Sequence, residues 1–213
     1  PVGDYNWRVR VWNKSDEPSS WSDKGRFIIT NVKASFGESR WIGAITKTDA
    51  HTPEGRIFHG SEMKKETVKA AWAAAGSLSR KSIYVRTTFT SQQKKVKQAV
   101  VNICGLGLYE LSINGKKVGN SEFTPLISDY DKSVWYNTYD VTTLLQKGNN
   151  AIGVLLGNGF YNVQGGRYRK LLISFGPPTV RLQLTIHYED GTSQTVASDK
   201  TWKYDFSPVT FNC

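Results

Sequence analysis

The chain has 213 residues, of which 38% are apolar and 22% charged, and its formal net charge is +10. These are ordinary globular values that suit one large β domain or two smaller ones, and no apolar run approaches the ~20 residues a helix needs to cross a bilayer. The basic residues lie in short clusters such as Lys64-Lys65, Lys94-Lys95-Lys97 and Arg167-Arg169-Lys170, which favours a solvated basic surface over a nucleic-acid or acidic-polymer site.

The first element is a half-buried strand from Tyr5 to Trp12, with Tyr5, Trp7, Val9 and Val11 alternating against Asn6, Arg8 and Arg10. A polar turn through Pro18 leads to Trp21-Ser22 and a second strand, Arg26–Thr30. Tyr-x-Trp-x-Val-x-Val, a Ser/Pro loop and Trp-Ser before a last strand resemble the closing hairpin of a fibronectin type III-like domain. Residues 1–34 are therefore expected to be a truncated remnant of such a domain, followed by a second domain over 35–213. The chain opens close to a strand and closes on Pro208–Cys213, which also reads as apolar. It is thus expected to be part of a longer protein, and the lack of a signal peptide says nothing of its compartment.

In the second region Val68, Ala71, Trp72 and Ala75 fall at i, i+3, i+4 and i+7. With the good helix formers of Lys64–Ala75 they predict one short helix on the flank of a sheet. Strands follow in series. Ile83–Phe89 is β-rich, and Lys97–Cys104 is apolar on both faces, as a central strand would be. Val100–Gly115 reads as strand, hairpin and strand, with Asn114-Gly115 as a turn whose two residues tolerate positive φ. Ala151–Leu156 is apolar on both faces and is expected to be covered by another layer. Val180–Tyr188 alternates, and Asp190-Gly191 turns the chain back into Gln194–Ala197 before a last strand from Thr201. Short strands at near-regular spacing with turn residues between them predict an all-β, antiparallel, jelly-roll-like sandwich.

The chemistry-bearing residues are few. Cys104 sits within an apolar strand, where a small buried thiol is expected, and a disulfide to Cys213 is the lesser alternative. No Gly-x-Ser-x-Gly or zinc-ligand spacing occurs, and His51, His59 and His187 are far apart. Glycoside hydrolysis needs two carboxylates about 5–9.5 Å apart. Glu110, Asp129, Asp131 and Asp140 qualify by type alone, and Asp140 is better explained by the turn Tyr139-Asp140-Val141-Thr142. No catalytic residue is assigned.

Sugar sites pair an aromatic face, set against the C–H face of the ring, with polar side chains that match hydroxyl groups. Two loops have that composition: Gly157-Asn158-Gly159-Phe160-Tyr161-Asn162, and Asp129-Tyr130-Asp131 with Trp135-Tyr136. The candidate carbohydrate contacts are Asp129, Asp131, Trp135, Asn158, Phe160 and Tyr161. The alternative is that the aromatics only plug the open end of the sandwich. Asp129 and Asp131, with nearby loop carbonyls, also form a candidate calcium site, against the plainer reading of an Asp-x-Asp turn.

Trp41-Ile42-Gly43, Gly105-Leu106-Gly107-Leu108-Tyr109-Glu110-Leu111 with Asn114-Gly115, Thr124-Pro125, Ser128-Asp129-Tyr130-Asp131, Tyr139-Asp140-Val141-Thr142, Leu156-Gly157-Asn158-Gly159-Phe160-Tyr161 and Ser198-Asp199 with Trp202 stand in this order. Over residues 36–213 this order resembles the N-terminal β-sandwich domain of bacterial α-L-rhamnosidases. The resemblance implies a secreted or periplasmic multidomain glycoside hydrolase that removes terminal α-L-rhamnose with inversion. It also implies catalytic carboxylates in a later (α/α)6-barrel domain, which this chain does not contain. This region is then an accessory one, structural or carbohydrate-binding and inactive alone. Its implied partners are rhamnose-containing carbohydrate and the other domains of the same chain, with calcium as an implied cofactor in some members. Phe160 stands where the family commonly has Trp. Two alternatives stay open: a lectin-like module of another carbohydrate enzyme, and a binder of anionic polymers.

Overall fold

The computed structural model describes residues 3–29, 35–44, 57–59, 66, 81–163 and 171–209. The chain forms two compact units, Pro1–Gly37 and Glu38–Cys213.

The first unit contains an antiparallel pair, β1 (Gly3–Trp7) and β2 (Gly25–Ile29), with Tyr5 opposite Phe27. Their rings stack with centroids 5.3 Å apart. Regular pairing stops at Trp7 rather than reaching Trp12, because two serine hydroxyls then replace carbonyls in the ladder. The Val9 and Val11 amides donate to Ser22 Oγ and Ser19 Oγ, each at 3.1 Å. In return the Ser22 and Ser19 amides donate to the Val9 and Val11 carbonyls. Arg10 lies between the Trp12 and Trp21 rings, 4.8 and 4.7 Å from their centroids, a cation–π sandwich.

The second unit holds β3 (Ile57–His59), β4 (Ile83–Thr90), β5 (Val96–Leu106), β6 (Leu108–Ile113), β7 (Lys116–Lys117), β8 (Asn137–Asp140), β9 (Asn149–Gly157), β10 (Asn162–Val163), β11 (Leu171–Ser174), β12 (Thr179–Tyr188), β13 (Ser193–Ala197) and β14 (Lys203–Phe206). A four-stranded sheet runs β13-β12-β5-β8 and a five-stranded sheet runs β14-β4-β9-β6-β7. A smaller sheet runs β10-β11-β3. The pairs within these sheets are antiparallel. Alternate residues of the two large sheets meet in one apolar core, with Val101, Ile103, Leu182 and Leu184 from one and Leu111, Ile152, Val154 and Leu156 from the other. The all-β antiparallel sandwich expected from the strand spacing is therefore what the chain forms. Thr142–Leu144 makes a short 3-10 turn. The helix expected over residues 64–75 lies outside the described residues, apart from Glu66.

Two expectations change. Val100–Gly115 is not strand, hairpin and strand, since β5 belongs to the four-stranded sheet and β6 to the five-stranded one. The link is a corner at Gly107 (φ 106°), where a Cβ would overlap the carbonyl oxygen of Gly157. Strand β9 is covered on one face only: Ile152, Val154 and Leu156 are buried, whereas Asn149 and Ala151 are exposed and Gly153 and Leu155 only partly covered. Its outward positions are largely small, so they read as apolar without needing a covering layer. By contrast β5 is central, between β12 and β8, as its two apolar faces required.

The turns follow their chemistry. Asn114 (φ 51°) and Gly115 (φ 77°) form the tight β6–β7 connection. Asp140 accepts from the Thr142 amide at 3.0 Å and hydroxyl at 2.6 Å, the structural role expected of it. At the β12–β13 turn Asp190 accepts likewise from Thr192 and pairs with Lys94 Nζ at 2.8 Å. The Lys94 side chain, and then Thr192, hold the Asp190 carboxyl down from 3.8 to about 2.

Two outcomes are expected. Leu184→Ala, at a fully buried inward position of β12, should lower unfolding free energy by about 2–5 kcal/mol in urea titrations. A carboxyl with a depressed pKa stabilises above its unfolded value and loses that stabilisation as it protonates. The Asp190 contribution should thus fade between pH 3.8 and about 2, and Asp190→Asn should flatten that part of a stability-against-pH profile.

Candidate functional site

The site lies where β5 and β9 end and β6 and β8 begin. Buried Leu156 and half-buried Gly157 bring the chain to Asn158, which is 3% exposed. Asn158 does not face solvent. Its Oδ1 accepts from Asn162 Nδ2 at 2.9 Å, and its carbonyl accepts from the Asn162 amide at 3.2 Å. Asn162 is itself buried. Between them Gly159 adopts φ 51°, with an ideal Cβ only 2.9 Å from Leu108 Cγ, so the turn presses against the start of β6. Phe160 occupies the tip of this turn and is 52% exposed.

The second loop reaches the first through its central tyrosine. The Tyr130 and Tyr161 rings meet edge to face with centroids 5.1 Å apart. Both pack on Phe175, at 5.3 and 5.6 Å. The Tyr161 hydroxyl donates to the Phe175 carbonyl at 3.1 Å, and the Phe175 amide donates to the Tyr161 carbonyl. Tyr161 and Tyr130 are thus chiefly cement between loops, and burial pushes the Tyr130 hydroxyl pKa upward. Phe175 escaped the sequence reading. Its only signal is an aromatic directly before the Gly176-Pro177-Pro178 turn.

Around this cement lie the exposed candidates. Trp135 is 58% exposed, yet it is not loose. Its Nε1 donates to the Ile127 carbonyl at 3.3 Å, and its own carbonyl accepts from the buried Cys104 thiol at 3.1 Å. Burial raises that thiol to about 12, so Cys104 is an inert packed group. Cys213 lies outside the described residues. Asp129 and Asp131 are both exposed. The Lys132 and Ser133 amides close the turn on the Asp129 carbonyl. The Asp129 carboxylate pairs with Lys132 Nζ at 2.8 Å, and that hydrogen bond leads the causes holding its pKa below 3.8.

The donor set does not fit calcium as it stands. The ion takes six to eight oxygens, whereas no group of three or more His, Cys, Asp or Glu occurs among the described residues. A cation at Asp129 would also have to displace Lys132. The other candidate carboxylates are engaged elsewhere: Glu110 with Lys117 at 3.1 Å, and Asp140 with Thr142. An open depression lined by Thr88, Asn114, Asn149 and Asn150 lies at the opposite end of the five-stranded sheet. Its Asn114 and Asn150 side chains bond one another and neighbouring backbone, which makes them structural.

Against known proteins, residues 94–213 match the family model described as the α-L-rhamnosidase N-terminal domain. An α-L-rhamnosidase of Formosa agariphila is 38% identical over 98% of this chain and 21% of its own length. The chain spans about a fifth of the length of the curated relatives it matches. Among solved structures, the α-L-rhamnosidase of Dictyoglumus thermophilum superposes with a TM-score of 0.65 at 30% identity, over all of this chain and 21% of the other. The Streptomyces avermitilis α-L-rhamnosidase, solved as a complex with L-rhamnose, superposes with a TM-score of 0.56 at 34% identity, over 60% of this chain and 12% of the other.

Removing the buried amide pair tests the structural role of Asn158. Asn158→Ala leaves Asn162 Nδ2 buried without that acceptor and should cost about 1–3 kcal/mol of stability in denaturant titrations. A change well below that range would count against a structural role for the Asn158–Asn162 pair.

Proposed function

Because the chain belongs to the α-L-rhamnosidase N-terminal domain family, we propose that it is a non-catalytic accessory region of a longer glycoside hydrolase acting on terminal α-L-rhamnose, and that its loop end touches rhamnose-containing carbohydrate. One observation carries the second half of this reading. The two aromatic-polar loops, remote in sequence, are joined by Tyr130, Tyr161 and Phe175, with Trp135 and Phe160 more than half exposed beside them. The Trp135 indole, held through its Nε1, and the exposed Phe160 ring on its tight turn offer apolar faces to sugar C–H groups. Asp131, Asp129 and Lys132 supply polar groups at the rim. Tyr161 and Asn158 serve by holding the loops, and the contact needs no calcium.

The same reading makes the first unit the closing hairpin of a fibronectin type III-like domain. It places the parent protein outside the cytoplasm, as a secreted or periplasmic enzyme. Among the described residues, no helix is long and apolar enough to cross a membrane. The anionic-polymer alternative loses ground, since Lys94, Lys95, Lys117 and Lys132 are each paired with a carboxylate.

Calorimetric titration with L-rhamnose, in calcium and in chelator, tests this. The expected result is binding with Kd on the order of 1 mM, about −4 kcal/mol, unchanged by the chelator and weakened at least fivefold in Trp135→Ala and Phe160→Ala. No heat with sugar in either condition would remove the carbohydrate contact and leave a scaffold role. Salt-sensitive heparin binding without sugar binding would favour the charge-based alternative. Hydrolysis of an aryl rhamnoside by the chain alone would overturn the non-catalytic assignment.

A further inference from the structure

The β7–β8 connection carries apolar side chains that neither the core nor the sugar reading uses. Phe123, Leu126 and Ile127 fall within five residues and are 81%, 75% and 57% exposed. The intervening Thr124 and Pro125 are buried, so the segment presents its large side chains outward and its small ones inward. That is the reverse of what solvent alone would select.

The segment is held in this arrangement. The Thr124 carbonyl accepts from the Tyr109 amide at 2.7 Å, which stitches the loop to β6. The Ile127 carbonyl accepts from Trp135 Nε1. Phe123 sits at φ 52°, a left-handed conformation that a bulky residue adopts only where its surroundings impose it. Three apolar side chains are thus displayed on a pinned, preformed loop. Such displays mark interaction surfaces.

The chemistry selects the occupant. Leu126 and Ile127 are branched aliphatics, which offer no flat face to a sugar and no hydrogen bond to its hydroxyls. The neighbouring Lys117 is neutralised by Glu122 at 2.7 Å and Glu110 at 3.1 Å, so that lysine is not free to attract lipid phosphate or nucleic acid. Charges already paired within the chain suit burial against an apolar protein surface, because each keeps its partner when water leaves. The curated relatives are about five times as long as this chain, and a further domain of the same polypeptide would supply that surface at high effective concentration. We propose that Phe123, Leu126 and Ile127 form the docking surface for another domain of the parent rhamnosidase-type polypeptide. This rests on the accessory-region half of the functional reading and not on the sugar contact.

Hydroxyl-radical footprinting, read by mass spectrometry, tests it on the 213-residue chain and on the complete polypeptide that carries it. Oxidation of Phe123, Leu126 and Ile127 should fall at least fivefold in the complete polypeptide. Tyr84 and Tyr204, exposed on β4 and β14, serve as the reference. Phe123→Ser with Leu126→Ser should restore oxidation of Ile127 there, and should speed limited proteolysis between domains. Equal oxidation in the two proteins, with further folded domains present, overturns the docking surface alone. A complete polypeptide with no further folded domain overturns the accessory reading as well. Protection of the loop in the 213-residue chain that grows with its concentration would assign the surface to a second copy instead, and also overturns the proposal.

Discussion

The second unit depends on how closely two glycine-bearing segments approach one another. At Gly107 the chain leaves the four-stranded sheet and enters the five-stranded one, and the carbonyl of Gly157 occupies the space a side chain would need. One turn later Gly159 presses on Leu108. The corner between β5 and β6 and the turn after β9 therefore interlock closely, through the Gly157 carbonyl on one side and Leu108 on the other. This contact lets neighbouring strands in sequence lie on opposite sides of one core. It also sets where the loops carrying Phe160 and Trp135 emerge.

From that corner the polar groups divide by burial rather than by type. Asn158 and Asn162 have the composition of a sugar site, yet they are buried and bonded to each other. Low local dielectric makes such a pair valuable when satisfied and costly when broken. Tyr130 and Tyr161 are likewise spent on joining loops. What remains for a ligand is the exposed rim of rings and carboxylates, beside buried Cys104, which bonds the Trp135 carbonyl, and half-buried Phe175, which packs on Tyr130 and Tyr161. A held rim of this kind has little conformational freedom left to lose on binding.

The surface charge follows the same economy. A net charge of +10 suggests an attraction for anions when it is counted along the sequence. In the fold, Lys94 and Lys95 meet carboxylates from distant positions, Asp190 and Glu189, and Lys117 and Lys132 meet nearer ones. Such exposed pairs add little stability. They do reduce the local field that a polyanion would otherwise meet.

Alternation along β12, the Asn114-Gly115 turn and the doubly apolar β5 determined by themselves that the chain is an antiparallel β-sandwich, because side-chain period and turn chemistry are local properties. The order of the Gly- and Asp-rich motifs likewise determined the family. Which strands share a sheet was not legible, since the same Gly105-Leu106-Gly107 run suits a hairpin or a corner until Gly157 is seen against it. Nor did composition separate Asn158 from Phe160 in one loop, although one is buried and the other half exposed. Tertiary structure alone decided that. Burial and pairing are set by contacts between residues far apart in the chain, such as Tyr130 with Tyr161 and Phe175, and no local pattern encodes them.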